Sequence, residues 1–150
     1  EYKLGMGLAI AEARKAARLG EVPVGAVILK DGKVIGRGRN LKETLNDPTA
    51  HAEIVAIRQA AQNEGSWRLL DATMYVTLEP CPMCAGAIVM ARIPELVIGT
   101  RDPRTGAAGS LMDITRDERL NHRVSVVTGI MEDECASLLE SFFRKLRARS

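Results

Sequence analysis

The dipeptide Asp31-Gly32 constrains this chain more than any other pair of residues. It separates two strand-like runs, Val22–Leu29 and Lys33–Arg39. Asp-Gly between such runs favours a two-residue hairpin, because both turn residues must take positive φ. Further strand-like runs follow at Thr73–Leu78, Leu96–Gly99 and Ser125–Ile130. Helical segments alternate with them: Leu4–Leu19, stopped by Gly20; about Thr49–Asn63, with Ile54, Ile57 and Ala61 at helical spacing; Pro80–Ala91; and Glu132 to about Arg147. The stretch up to Pro48 reads as a polar loop, and a Gly-rich loop runs through Gly106 and Gly109. Five strands interleaved with helices indicate a layered α/β domain with a mixed sheet, hairpin first and crossovers after.

Length and composition narrow the class. The 150 residues fit one domain, 1–150, large enough to bury a core without disulfide or metal staples. Aromatic residues make up 3% of the chain, which argues against a surface of many stacking platforms. Three cysteines, with no signal-peptide pattern, point to a reducing cytoplasm rather than a disulfide scaffold. The uncharged stretch Pro80–Ala91 is too short to span a bilayer, so no membrane association is expected. A net charge of +2 does not by itself imply nucleic acid, although Arg144, Lys145, Arg147 and Arg149 crowd one end. On charge alone that cluster reads as a solvated helix end complementing the dipole.

The chemistry is concentrated in "TLEPCPMC", residues 77–84. Cys81 and Cys84 are one helical turn apart beside a helix start, where positive partial charge favours thiolates. Three readings compete: a redox pair, a structural zinc clamp, and two ligands of a catalytic metal. His51, in "DPTAHAEIVAI", is also at a helix start and offers a nitrogen. One His and two thiolates leave the fourth tetrahedral position to water, which is the arrangement of a catalytic zinc. The metal brings the pKa of that water toward neutrality, and Glu53 is a non-ligand carboxylate available to move its proton. A structural site would need His122 or Cys135 as fourth ligand and leaves Glu53 without a purpose. A redox pair has no use for His51-Ala52-Glu53. In a regular helix His51 and Glu53 would diverge, so the pair works only if His51 stands ahead of the first turn. Cys135 reads as a buried small hydrophobe and His122 as a loop or interface hydrogen-bonder.

H-x-E with P-C-x-x-C is the signature of zinc-dependent base deaminases. "VPVGAV", "DPTAHAE", "MYVTLEPCPMCAGA", "TGAAGSL" and "NHRV" together resemble the bacterial tRNA-specific adenosine deaminases, over nearly the whole chain. The resemblance implies a cytidine-deaminase-like three-layer α/β/α fold with a five-stranded mixed sheet, one zinc per subunit and a homodimer. It implies zinc ligands His51, Cys81 and Cys84, and Glu53 as the proton shuttle. The implied reaction is hydrolytic deamination of adenosine to inosine at the wobble position of a tRNA anticodon stem-loop, with zinc-bound hydroxide attacking the base. It further implies Asn40 as a base-binding side chain, Asp102 near the nucleotides flanking the target, and Val22, Pro23 and the start of the "TLEP" loop as pocket walls. Pro103 departs from the family's common small residue and would stiffen that loop. Two alternatives share the zinc chemistry: a deaminase of free guanine, cytosine or their nucleotides, and an engineered variant acting on single-stranded DNA.

Overall fold

The computed structural model describes residues 2–149. Five strands form one sheet in the order β2-β1-β3-β4-β5. They are β1 (Gly25–Lys30), β2 (Lys33–Arg39), β3 (Ala72–Leu78), β4 (Glu95–Thr100) and β5 (Ser125–Val127). β1 is antiparallel to both β2 and β3, while β3, β4 and β5 are parallel. The hairpin closes where expected, with Asp31 at φ 51° and Gly32 at φ 75°. That double positive φ gives the turn the twist that two antiparallel strands need.

Helices cover both faces of the sheet. On one face lie α1 (Tyr2–Arg18) and α5 (Glu132–Ala148), and on the other α3 (Ala52–Glu64) and α4 (Pro82–Met90). Strand side chains alternate accordingly. Ala26, Ile28, Met74, Val76, Leu96 and Ile98 point into the α3–α4 layer, whereas Val27, Tyr75 and Val97 meet Met6, Ala9, Ile10 and Cys135. Burial on both faces explains why the central strands read as nearly continuous apolar runs. The fold is thus the three-layer α/β architecture with a mixed five-stranded sheet that the sequence predicts.

The antiparallel start of the sheet has a directional result. β1 begins at the same end of the sheet at which β2, β3 and β4 finish. Val22–Val24, Asn40, Glu79 and Asp102 therefore emerge together, beyond the carboxyl ends of the parallel strands, where open α/β sheets characteristically bind ligands.

Several boundaries differ from the sequence reading, most by one or two residues, and α3 begins at Ala52 rather than Thr49. Val22–Val24 are not in β1, because β2 has ended opposite Gly25; the Val24 amide instead donates to Val22 and the Val24 carbonyl accepts from Asn40. A short helix, α2 (Lys42–Leu45), stands in the supposed loop. α4 starts at Pro82 rather than Pro80, since Cys81 precedes a proline and is held extended at ψ 174°. β5 stops at Val127, where its pairing with β4 ends. In α3 the buried stripe is Ala52, Glu53, Ala56 and Ala60, not Ile54, Ile57 and Ala61. The small residues face inward because α3 lies almost on the backbone of β2. A Cβ at Gly38 would run into the Ala52 carbonyl and the Ala56 amide.

Candidate active site

Two helix starts converge at the sheet end just described. His51 is the residue before α3, with φ −73° and ψ 155°, and Cys81 is its counterpart before α4, with φ −73° and ψ 174°. Neither side chain caps its own helix, so both are available to point elsewhere. Because His51 is extended and not helical, it and Glu53 can reach the same pocket although only two residues apart. Cys84, one turn into α4, is fully buried.

The Nδ1 of His51 lies 3.6 Å from Cys81 Sγ and 3.5 Å from Cys84 Sγ, and a ligand atom from each residue falls within 4.8 Å of the others. These distances allow sulfur–nitrogen hydrogen bonds and equally suit another geometry. With Zn–S of about 2.3 Å and Zn–N of about 2.0–2.1 Å, a tetrahedral N···S edge is about 3.5–3.6 Å. The donor set fits zinc in size and in chemistry. It is the one such group of His, Cys, Asp or Glu side chains found among the described residues. All three cysteines are free of disulfides. Cys135 is buried against Gly99, and His122 Nε2 lies 2.7 Å from the Ile93 carbonyl, so neither joins the trio.

The electrostatics are those of a pair of thiols sharing a proton beside a buried acid. The Cys84 hydrogen bond draws the Cys81 thiol down to about 5; burial opposes this, while the amides of Cys84 and Met83 and the charge of His51 assist. The same hydrogen bond and burial push Cys84 up. Burial raises the Glu53 carboxyl from 4.5 to about 7; its own backbone amide and Cys84 pull the other way, and the Cys81 charge adds to the rise. Glu53 is 4% exposed, yet it lines the pocket.

The pocket has a volume of about 190 Å³. Of the residues expected there, Val22, Asn40, His51, Glu53, Cys81 and Asp102 line it. Cys84 lies behind them in the trio, and Pro23 is buried and not part of the lining. Asn40 is locked by local hydrogen bonds: its Nδ2 donates to the Val22 carbonyl at 3.4 Å and its Oδ1 accepts the Lys42 amide at 3.1 Å. The Asp102 carboxylate accepts from the Arg104 and Thr105 amides and the Thr105 hydroxyl, which makes it the pivot of its own turn. Leu78 and Glu79, in the expected TLEP wall, line it as well, whereas Val24, Lys42, Ala52 and Thr105 also face the pocket and were not foreseen. Apart from lying next to foreseen residues in the chain, they carry no local signal. Arg144, Lys145, Arg147 and Arg149 are exposed at the end of α5.

Comparison with known proteins agrees with this geometry. The profile of the MafB19-like deaminase family matches residues 3–147. The tRNA-specific adenosine deaminase of Bacillus subtilis is 50% identical over 147 residues, spanning 98% of this chain and 91% of that protein. That of Haemophilus influenzae is 50% identical over 143 residues, covering 95% and 83%. A structure from studies of A-to-I editing by tRNA:A34 deaminases superposes with a TM-score of 0.86 at 47% identity, over 91% of this chain and 99% of that one. A Bacillus subtilis guanine deaminase superposes with a TM-score of 0.65 at 41% identity, over 67% and 65%. Together with the trio and its adjoining acid, these similarities show that the chain belongs to the deaminase family that includes the tRNA-specific adenosine deaminases.

Proposed function

We propose that this chain is a zinc-dependent hydrolase that converts adenosine to inosine at the wobble position of a tRNA anticodon. The observation that carries the chemistry is a buried carboxylate, Glu53, beside a His-Cys-Cys group whose spacing fits a tetrahedral ion. The choice of substrate is supported by the tRNA-specific adenosine deaminases that are half identical across nearly its whole length.

His51, Cys81 and Cys84 would hold the zinc, one per subunit, and the ion would supply an acidified water there. Glu53 would move one proton from water to the purine ring nitrogen next to the reacting carbon. A second proton passes through Glu53 to the amino group, which leaves as ammonia, while the oxygen remains on the ring as the inosine carbonyl. The Glu53 carboxyl is buried beside the trio and lines the pocket, which suits transfer in both directions. Asn40 holds the base, its rotamer fixed in advance by Val22 and Lys42. A cavity of about 190 Å³ is small beside the ~300–1,000 Å³ of ordinary ligand clefts and suits one base taken out of its stack. An anticodon loop presents such a base at reduced unstacking cost. Asp102 and Val22 border the target, and the basic end of α5 meets phosphates.

The chain works as one catalytic domain and, like the family it resembles, as a cytoplasmic homodimer. Among the described residues no helix is long and apolar enough to cross a membrane. The similarity to a guanine deaminase makes free guanine the competing substrate. One assay decides between them: inosine formation on an anticodon stem-loop, with free adenosine, guanine and cytidine alongside. Faster turnover of guanine or cytidine than of the stem-loop would overturn the tRNA assignment.

A further inference from the structure

Glu79 is 3% exposed and has no part in the chemistry above. It stands between the end of β3 and Cys81, and four donors from one downstream stretch converge on its carboxylate. Oε1 accepts the Asp102 amide at 3.1 Å and the Ser110 hydroxyl; Oε2 accepts the amides of Ala108 and Ser110, each at 3.0 Å. A Cβ at Gly106 would overlap this carboxylate, so the stretch closes over it only with glycine there. Burial pushes the carboxyl upward, but the bonds from Ser110, Asp102 and Ala108 prevail and keep it below the usual carboxylate range. The same stretch contributes Asp102 and Thr105 to the pocket wall. Since the Asp102 carboxylate is engaged within its own turn, the position of both residues follows the position of the Asp102 backbone.

We propose that Glu79 is a positioning residue that fixes the 102–110 wall of the pocket relative to the metal-binding segment two residues away, and thereby sets the affinity for the RNA substrate. The inference rests on the function proposed above. A buried carboxylate reaching across the site does what a hydrogen bond between neighbours in sequence cannot: it holds a loop in register with a helix start. A second, backbone fastening runs from the Ala107 amide to the Pro80 carbonyl at 2.8 Å, so loss of Glu79 loosens the wall without releasing it.

Glu79→Gln makes the idea specific. Its amide group can stand only where a partner accepts, and the Ser110 hydroxyl can rotate to accept at the Oε1 position while the Oε2 position retains both amides. The Asp102 amide alone then faces a donor and loses its partner. In the zinc-loaded full chain, residue-resolved hydrogen exchange should show the Asp102 amide exchanging at least about tenfold faster, with Ala108 and Ser110 little changed. Zinc content should equal that of the wild type. On an anticodon stem-loop, KM should rise about tenfold while kcat changes by less than about threefold. If Glu79→Gln does not fold, Gly106→Ala perturbs the same packing from the loop side and should give the same KM-selective loss. Unchanged KM, or kcat falling as much as KM rises, would overturn the inference, as would an Asp102 amide exchanging at the wild-type rate. A wild-type chain inactive on the stem-loop would instead remove the proposed function, and the exchange result alone would then judge the fastening of the wall.

Discussion

Replacing Glu53 with glutamine separates two consequences of the same burial. The carboxyl is raised from 4.5 to about 7, chiefly because it is withdrawn from water. The folded chain therefore binds this proton more tightly than the unfolded chain does. The associated stability is fully present below about pH 4.5 and is lost as pH rises through about 7. At pH 8 the metal-free fold carries an ionised Glu53 at a cost of about 3 kcal/mol. Glutamine is neutral at every pH and avoids that cost, which is already net of the bond from Cys84. Urea unfolding of chelator-treated, reduced protein should find Glu53→Gln more stable by about 3 kcal/mol at pH 8, with the gap closing below pH 5. Reloaded with zinc, the variant should bind as much metal as the wild type and turn over roughly 10²–10⁴-fold more slowly. A stability gap indifferent to pH, or a variant less stable at pH 8, would refute the claim that burial governs this group. Near-normal turnover with full zinc would remove Glu53 from proton transfer.

Three further outcomes are expected. Elemental analysis of protein expressed with ample zinc should give one ion per chain, and a substoichiometric metal content with a Cys81–Cys84 disulfide would favour redox chemistry. Gly38→Ala should lower stability by about 1–3 kcal/mol in thermal unfolding and weaken zinc binding, because α3 must retreat from β2 and carries His51 with it. Replacing Arg144, Lys145, Arg147 and Arg149 with alanine should raise KM for a stem-loop without changing zinc content. Every phosphate that the substituted chain no longer neutralises should flatten the slope of log affinity against log salt by roughly 0.7, and an unchanged slope would make the helix end a solvated cap.

What the sequence made legible follows from how local each cause is. The hairpin was readable because Asp31-Gly32 determines it within four residues, and β2 is found where it was expected. The metal trio was readable because two short motifs each hold their ligands at a helix start. The orientation of α3 was not, since its small-residue face is dictated by glycines on β2 that precede it by more than ten residues. α2 was missed for a related reason. Buried Glu21 accepts the Glu43 and Thr44 amides and the Thr44 hydroxyl, and so organises a turn that its own composition leaves undecided. The TLEP segment was legible as a pocket wall, but the fastening made by Glu79 was not, because its partners lie 23 to 31 residues downstream. The start of α4 was misplaced by two residues, although the extended conformation imposed on Cys81 by Pro82 is itself a local rule.

The convergence of four strand ends at one edge of the sheet divides the molecule into parts that can change independently. The His-Cys-Cys trio stands at helix starts packed on the core, where substitution disturbs many neighbours at once. Two stretches of the pocket rim, α2 with Lys42 and the 102–110 stretch, are each fastened by a buried glutamate, Glu21 or Glu79. Such a rim can be lengthened, recoloured or exchanged while its anchor and the catalytic machinery stay in place. Relatives acting on different purines can thus share one scaffold, and variant libraries confined to these two rims would explore new substrates while leaving the core intact.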